Sequence, residues 1–401
     1  MAVPLSPIDR IRALEALGPR RLAGTPTEKA AQVSLGEALA ALGFRLEWRP
    51  FRFSQSLYAS LLLHFGLATF GTVVGVWRPW LGAALHALVA LSYGLESMRR
   101  GLLLRSVFPR ITSQNLLAVK PAKSALRRRL VLIAHADAAF TGLMFNPALI
   151  KLSANQPPRG LGWFRKQLGL ATATVAVLAV LEALAALGVW SAPTWLLGAL
   201  SIPTTLVFLL NVDVVLRDRI VPGAADNLSG CVSCVELGAR LEGRLPDDVE
   251  LVIVISGSEE AGTGGALRLA EAMDRTGEWT PADTIVLGLD GMTNGALHYL
   301  EEGELWRLPV APALEAALRD TNAERPDQSP VTRFVIPAGA SDALPFRVRG
   351  YPAVTLTCID PAVGSARNYH HPTDTSTNVD PAQLAASIDF AERLIVRLAK
   401  V

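Results

Sequence analysis

Four long apolar stretches interrupt the chain. Leu57–Trp77 and Pro79–Leu95 are separated by Arg78 alone, Leu168–Trp190 carries the single charge Glu182, and Pro193–Asn211 carries none. Each matches the thickness of bilayer hydrocarbon, so the pattern predicts four transmembrane helices in two hairpins. Trp77, Trp80, Trp190 and Trp195 fall at the two hairpin turns, where interfacial aromatics belong. Outside these stretches short β-branched runs alternate with helical ones. RLEWRPFRF, NLLAVKP, RRLVLIAH, VELVIVIS, DTIVLGLD and YPAVTLTCID read as strands, GGALRLAEAMD and LPVAPALEAALRDT as helices. Such alternation predicts an α/β fold, a mostly parallel or mixed sheet covered by helices on both faces. Thr25-Pro26-Thr27-Glu28 supplies a cap, a first-turn proline and an acid for a further helix running to Leu42 and closing on Gly43. The expected organisation is one α/β domain in three pieces, 1–55, 101–166 and 213–401, interrupted by hairpins at 56–100 and 167–212.

Composition agrees with a membrane protein. Of 401 residues 50% are hydrophobic and only 18% charged, more apolar than an ordinary soluble enzyme. The net charge of +2, with basic residues spread along the chain, argues against nucleic acid as a partner. Cys231, Cys234 and Cys358 cannot build a disulfide framework, and Cys231-x-x-Cys234 reads as buried filler on a helix face. The first 55 residues contain no secretory signal. Arg52, Arg99, Arg100 and Arg105 flank the first hairpin, and Arg159, Arg165, Lys166, Arg217 and Arg219 the second, while the opposite turns offer only Arg78. The positive-inside rule therefore predicts an integral, multi-pass protein with its α/β domain in the cytoplasm. Glu182, an acid at membrane depth, needs a partner. His64 or His86 could supply one, and the alternative is a protonated carboxyl bonded to a helix carbonyl.

The strand ends carry the chemistry. RRLVLIAH runs into Ala136-Asp137 after His135, VELVIVIS leads to Glu259-Glu260, DTIVLGLD stops at Asp290, and YPAVTLTCID precedes Tyr369-His370-His371-Pro372-Thr373-Asp374. In open α/β sheets the ligand site lies outside the carboxyl ends of the strands, so these side chains should converge. Gly223–Gly230, with Asp226 inside it, feeds a further helix and reads on its own as a helix cap.

In this order the motifs HAD, GAADNLSG, SGSEEAG, Asp290 and YHHPTDT resemble those of the co-catalytic dizinc aminopeptidases, the zinc exopeptidases whose relatives include glutaminyl cyclases and transferrin-receptor-like ectodomains. The resemblance covers LGPRRLAGTPTEKAAQVSLGEALAALGF and nearly everything from residue 112 onward except the second hairpin. It implies Asp226 as the carboxylate shared by two zinc ions, His135 and Asp290 as further ligands of one, and Glu260 and His370 as further ligands of the other. Cobalt or manganese could take the place of zinc. It makes Glu259 the general base that takes the proton of a metal-acidified water. Asp137 would orient the imidazole of His135, Asp374 that of His370, and Tyr369 would steady the oxyanion. His371 stands as an alternative ligand. Two departures stand out. The second hairpin lengthens the interval between His135 and Asp226, and Ser341-Asp342-Ala343 lacks the His that relatives carry after the Asp. The implied activity is that of a membrane-embedded aminopeptidase acting on peptides with a free N-terminus. A glutaminyl-cyclase-like acyltransferase and an inactive receptor-like binding module are the alternatives.

Overall fold

The structure is a computed structural model that describes residues 5–154, 166–305 and 307–400. In chain order the elements are α1 (Pro7–Glu15), α2 (Pro26–Ala41), β1 (Arg45–Ser54), α3 (Leu57–Gly75), α4 (Pro79–Ser97), β2 (Arg110–Lys120), β3 (Arg128–His135), α5 (Pro147–Ala154), α6 (Gln167–Ala186) and α7 (Thr194–Arg217). There follow α8 (Ser229–Arg240), β4 (Val249–Ser256), α9 (Gly264–Thr276), β5 (Thr284–Leu289), β6 (Ala296–Glu301), α10 (Pro312–Ala323), β7 (Thr332–Val335), α11 (Leu344–Arg347), β8 (Ala353–Ile359) and α12 (Pro381–Leu398).

The eight strands form one sheet in the order β1-β2-β4-β3-β5-β8-β6-β7. Its centre, β4-β3-β5-β8, is parallel, while β1, β2 and β6 join antiparallel. Central strands are buried on both faces, and their two-residue period divides them between two cores. Leu130, Leu132, Leu251, Ile253 and Ile255 pack under α2, α8 and α12, whereas Val131, Ile133, Val252 and Val254 pack under α9 and Phe346. The sheet is thus mixed and covered on both faces, as the alternation of runs predicts. β6 and β7 are additions at the far edge that the sequence pattern does not announce.

Both apolar hairpins leave and re-enter the domain at paired backbone. β1 and β2 pair from Arg45↔Val119 to Ser54↔Arg110, so the start and end of α3–α4 lie side by side. Likewise Phe140 bridges Ile220, the amide of Val221 donates to the Ala139 carbonyl at 3.0 Å, and that of Thr141 to the Arg219 carbonyl at 2.8 Å. Insertions whose ends are this close leave the parent fold undisturbed.

The hairpin helices α3, α4, α6 and α7 pack against one another as a bundle. Among the described residues three helices, Leu57–Gly75, Gln167–Ala186 and Thr194–Arg217, are long and apolar enough to cross a membrane. The exception is α4, whose apolarity is diluted by His86, Ser92, Glu96 and Ser97, all turned into the bundle and buried. Outward the helices show Phe70, Leu91, Val180, Ile202 and Leu206, and Trp77, Trp80, Trp190 and Trp195 are exposed at the turns. Glu182 finds its partner in His86, whose Nδ1 lies 2.7 Å from its carboxylate. His64 is occupied by the Ser60 carbonyl at 2.7 Å and the Ser92 hydroxyl at 2.8 Å. Gly75 and Gly82 admit the Glu182 carboxyl: a Cβ on either would stand 2.1 or 2.4 Å from one of its oxygens.

Candidate metal centre

Parallel β4, β3, β5 and β8 end at one edge of the sheet, with His135 level with Ser256 in the neighbouring strand. His135 is therefore the last residue of a buried strand, Glu259 and Glu260 stand on the turn between β4 and α9, Asp290 directly follows β5, and His370 comes from the long segment after β8. Asp226 lies in the irregular turn Ala224–Leu228 just before α8.

The structure brings all five expected ligands together. The Nε2 of His135 lies 3.3 Å from one oxygen of Asp226 and 3.7 Å from Asp290. The Nε2 of His370 lies 3.3 Å from the other oxygen of Asp226 and 3.2 Å from Glu260. Asp226 thus faces a different imidazole with each carboxylate oxygen. Glu259 stands beside this set, its carboxylate 3.8 Å from His135. His371 turns away, its Nδ1 meeting the Thr373 hydroxyl at 2.8 Å.

The supporting shell departs in part from expectation. Asp137 receives the amides of Glu259 and Glu260, both at 3.0 Å, so its carboxylate clamps the turn that carries both acids. The Nδ1 of His135 meets the Asp137 carbonyl at 3.1 Å, with the carboxylate farther off at 3.6 Å. Asp374 accepts the amides of Ala225 and Asp226 at 2.7 and 3.0 Å and so fixes the Asp226 turn rather than His370. The Nδ1 of His370 goes instead to the hydroxyl of Tyr58 at 3.1 Å. Tyr369 stacks on the His370 ring, centroids 3.9 Å apart.

Three further residues buttress the site. Buried Arg21 donates to the Ala136 carbonyl at 2.6 Å and the Gly223 carbonyl at 3.0 Å, tying the His135 strand to the Asp226 turn. Glu28 accepts from the Gly24 amide at 2.8 Å and the Ser258 amide at 3.0 Å, which carries the first turn of α2 to the residue before Glu259. Asp342, hydrogen-bonded by Ser256, lies buried close enough to feel the charge of His135. The N-terminal motif pointed to the region of Arg21 and Glu28; Tyr58, inside an apolar run, carried no signal.

The electrostatics are those of crowded, buried acids. Burial raises Glu259 well above the ordinary carboxylate range, and raises Glu260 and Asp290 with help from the Asp226 charge. Burial pushes Asp342 up to about 7. Burial also opposes ionisation of Asp226, but the two imidazoles facing its oxygens outweigh it and hold that carboxyl low. His370 is depressed by burial yet lifted to about 10 by Glu260 and Asp226. Cations among these acids would relieve their repulsion. The residues fit such ions: the buried His135 Nε2 and one Glu260 oxygen have no hydrogen-bond partner, and ligand atoms of His135, Asp226 and Glu260 all lie within 4.8 Å of one another. Imidazole with carboxylate is a donor set suited to zinc.

A mixed α/β sheet thus carries a buried His/Asp/Glu cluster at its carboxyl edge. The sequence model of Peptidase family M28 matches residues 203–395, a stretch holding Asp226, Glu259, Glu260, Asp290 and His370. Among solved structures, a glutaminyl cyclase from Fimbriiglobus ruber is similar at TM-score 0.56 and 16% identity, covering 99% of this chain and 97% of its own. A zinc aminopeptidase from Bacillus subtilis is similar at TM-score 0.55 and 14% identity, covering 98% and 95%. An aminopeptidase from Aneurinibacillus sp. strain AM-1 is similar at TM-score 0.57 and 14% identity, covering 97% and 92%. No curated protein matches the chain. The family match and the fold together support a metallopeptidase.

Proposed function

We propose that the protein is a membrane-embedded, zinc-dependent aminopeptidase. Its α/β domain, in the three pieces 1–55, 101–166 and 213–401, would hold two ions through His135, Asp226 and Asp290 on one side and Asp226, Glu260 and His370 on the other. The observation that carries the reading is the double engagement of Asp226, one oxygen toward each histidine at 3.3 Å. Such ions would supply Lewis acidity to the scissile carbonyl and acidify the attacking water. Glu259, raised by burial, is the group to take the water's proton and pass it to the leaving amine. Asp137 keeps Glu259 and Glu260 oriented through their amides. Tyr369, stacked on His370, would donate to the developing oxyanion. The three long apolar helices and their outward apolar side chains support the embedding in a bilayer.

The test is a matched set of peptides assayed by mass spectrometry. Release of the N-terminal residue from free but not acetylated peptides, abolished by chelator and restored by zinc, is expected. Because solved neighbours include glutaminyl cyclases, one peptide begins with Gln. Loss of ammonia with ring closure there, and no cleavage of the others, would replace the aminopeptidase with a cyclase.

A further inference from the structure

The hydroxyl on His370 comes from the first apolar hairpin, and that is unlike the arrangement at His135. His135 takes its Nδ1 partner from the adjacent segment of its own strand, the Asp137 carbonyl. His370 takes its own from Tyr58, in the opening turn of α3 and 312 positions away in sequence. Tyr58 is buried and its ring is fixed by edge-on contacts with Phe140 and Phe145, centroids 6.0 and 6.1 Å away. Phe145 in turn lies 4.6 Å from the His370 ring. The hydroxyl therefore sits in a packed aromatic setting with little freedom to leave the imidazole.

The same hairpin grips the turn bearing the two glutamates. Arg99, just past α4, donates to the Thr263 hydroxyl at 2.8 Å and pairs with Glu304 at 2.8 Å. Arg105 donates to the Ala261 carbonyl and pairs with Glu96 of α4 at 2.9 Å, while Ser60 of α3 donates to Glu96 at 3.1 Å. These groups are buried. Breaking a buried pair leaves an uncompensated charge, so the hairpin cannot shift without disturbing residues 261–263.

We infer that Tyr58 is a positioning residue for the metal ligand His370, and that the first hairpin is thereby a working part of the centre as well as an anchor. The inference rests on the proposed metal-dependent function. An imidazole that offers its Nε2 lone pair must carry its proton on Nδ1, and Tyr58 is the acceptor that fixes this tautomer and the ring's orientation. Loss of such an outer partner typically costs about 10–100-fold in metal affinity. The cost falls on the ion held by His370 and spares the one held by His135.

The experiment is zinc titration of the full-length protein in detergent against a chromophoric chelator, for wild type, Tyr58→Phe and His370→Ala. The wild type should bind two equivalents. Tyr58→Phe should keep one equivalent at wild-type affinity and bind the second about 10–100-fold more weakly, with kcat restored by excess zinc and KM nearly unchanged. His370→Ala should lose the second equivalent outright. Unchanged affinity for both ions in Tyr58→Phe, or equal weakening of both, overturns the inference. A wild type binding no zinc overturns the metal reading itself, so the two failures are distinct. If Tyr58→Phe does not fold, ¹⁵N-histidine spectra of the zinc-loaded wild type decide: an exchange-protected proton on Nδ1 of His370 is expected, and a proton on Nε2 overturns the assignment.

Discussion

At the scale of single residues the site depends on acids kept where water would not leave them. Glu259 has the means to accept a proton, and among the described residues its ion-pair neighbour is His135 at 3.8 Å. Glu259→Gln should therefore keep fold and metal content while turnover falls by about 10²–10⁴; near-normal turnover measured on a verified zinc-loaded variant would refute its role as base. Glu28 makes a different prediction. Burial, and then the charge of Asp137, push its pKa from 4.5 up to about 8. Between those values the folded state binds the proton more tightly than the unfolded chain does, so its contribution to stability is full below about pH 4.5 and is lost as pH rises toward 8. Chelator-treated protein in detergent should melt at progressively lower temperature between pH 5 and 8, and Glu28→Gln should make that decline shallower. An identical slope in the variant would contradict the assignment. The candidate site residues were readable because His135 ends an apolar strand and Glu259, Glu260 and Asp290 follow one, where a polar residue has no structural reason to stand. Tyr58 was not, since a tyrosine opening an apolar helix looks the same whether it faces a headgroup or a histidine.

At the scale of elements, the hairpins show how a bundle of apolar helices accommodates an acid. Glu182 meets His86, but its second oxygen has no partner and rests against Gly75 and Gly82. A Cβ at Gly82 would also come within 2.7 Å of the Gly75 Cα, which is backbone and cannot rotate away. Gly82→Ala should thus lower stability by about 1–3 kcal/mol, the usual cost of overpacking. Gly94→Ala in the same helix meets nothing within 4 Å and should be neutral or gain up to about 1 kcal/mol. Thermal melts of the two variants in one detergent check the contrast, and equal effects would remove the packing argument. The two hairpins were legible as long apolar stretches almost free of charge, and the central strands as unbroken β-branched runs. β6 and β7 were not, because both are short and lie at the end of the sheet where β7 is the edge strand, so partly exposed side chains blur the period that marks a strand.

At the scale of the whole molecule, hairpins whose ends are zipped together return the chain to the same side, so in the proposed bilayer setting the α/β domain would assemble on one face. Which face is proposed from the basic flanks. Arg99 and Arg105 are buried in ion pairs in the folded protein, and Lys166 is buried against the Gly303 and Ile336 carbonyls; Arg159 and Arg165 lie outside the described residues. The positive-inside bias acts on the chain before it folds, and acids weigh little in it, so these pairs do not cancel the expectation of a cytoplasmic domain. A reporter fused at the C-terminus should be active as a cytoplasmic reporter and silent as alkaline phosphatase; the reverse would invert the topology. The proposed sharing of the Asp226 carboxylate between two ions is tested most directly by elemental analysis. Freshly purified wild type and Glu259→Gln should each hold two equivalents of divalent metal and Asp226→Ala close to none, whereas wild type with less than one equivalent, or an Asp226→Ala variant that keeps both, would contradict it.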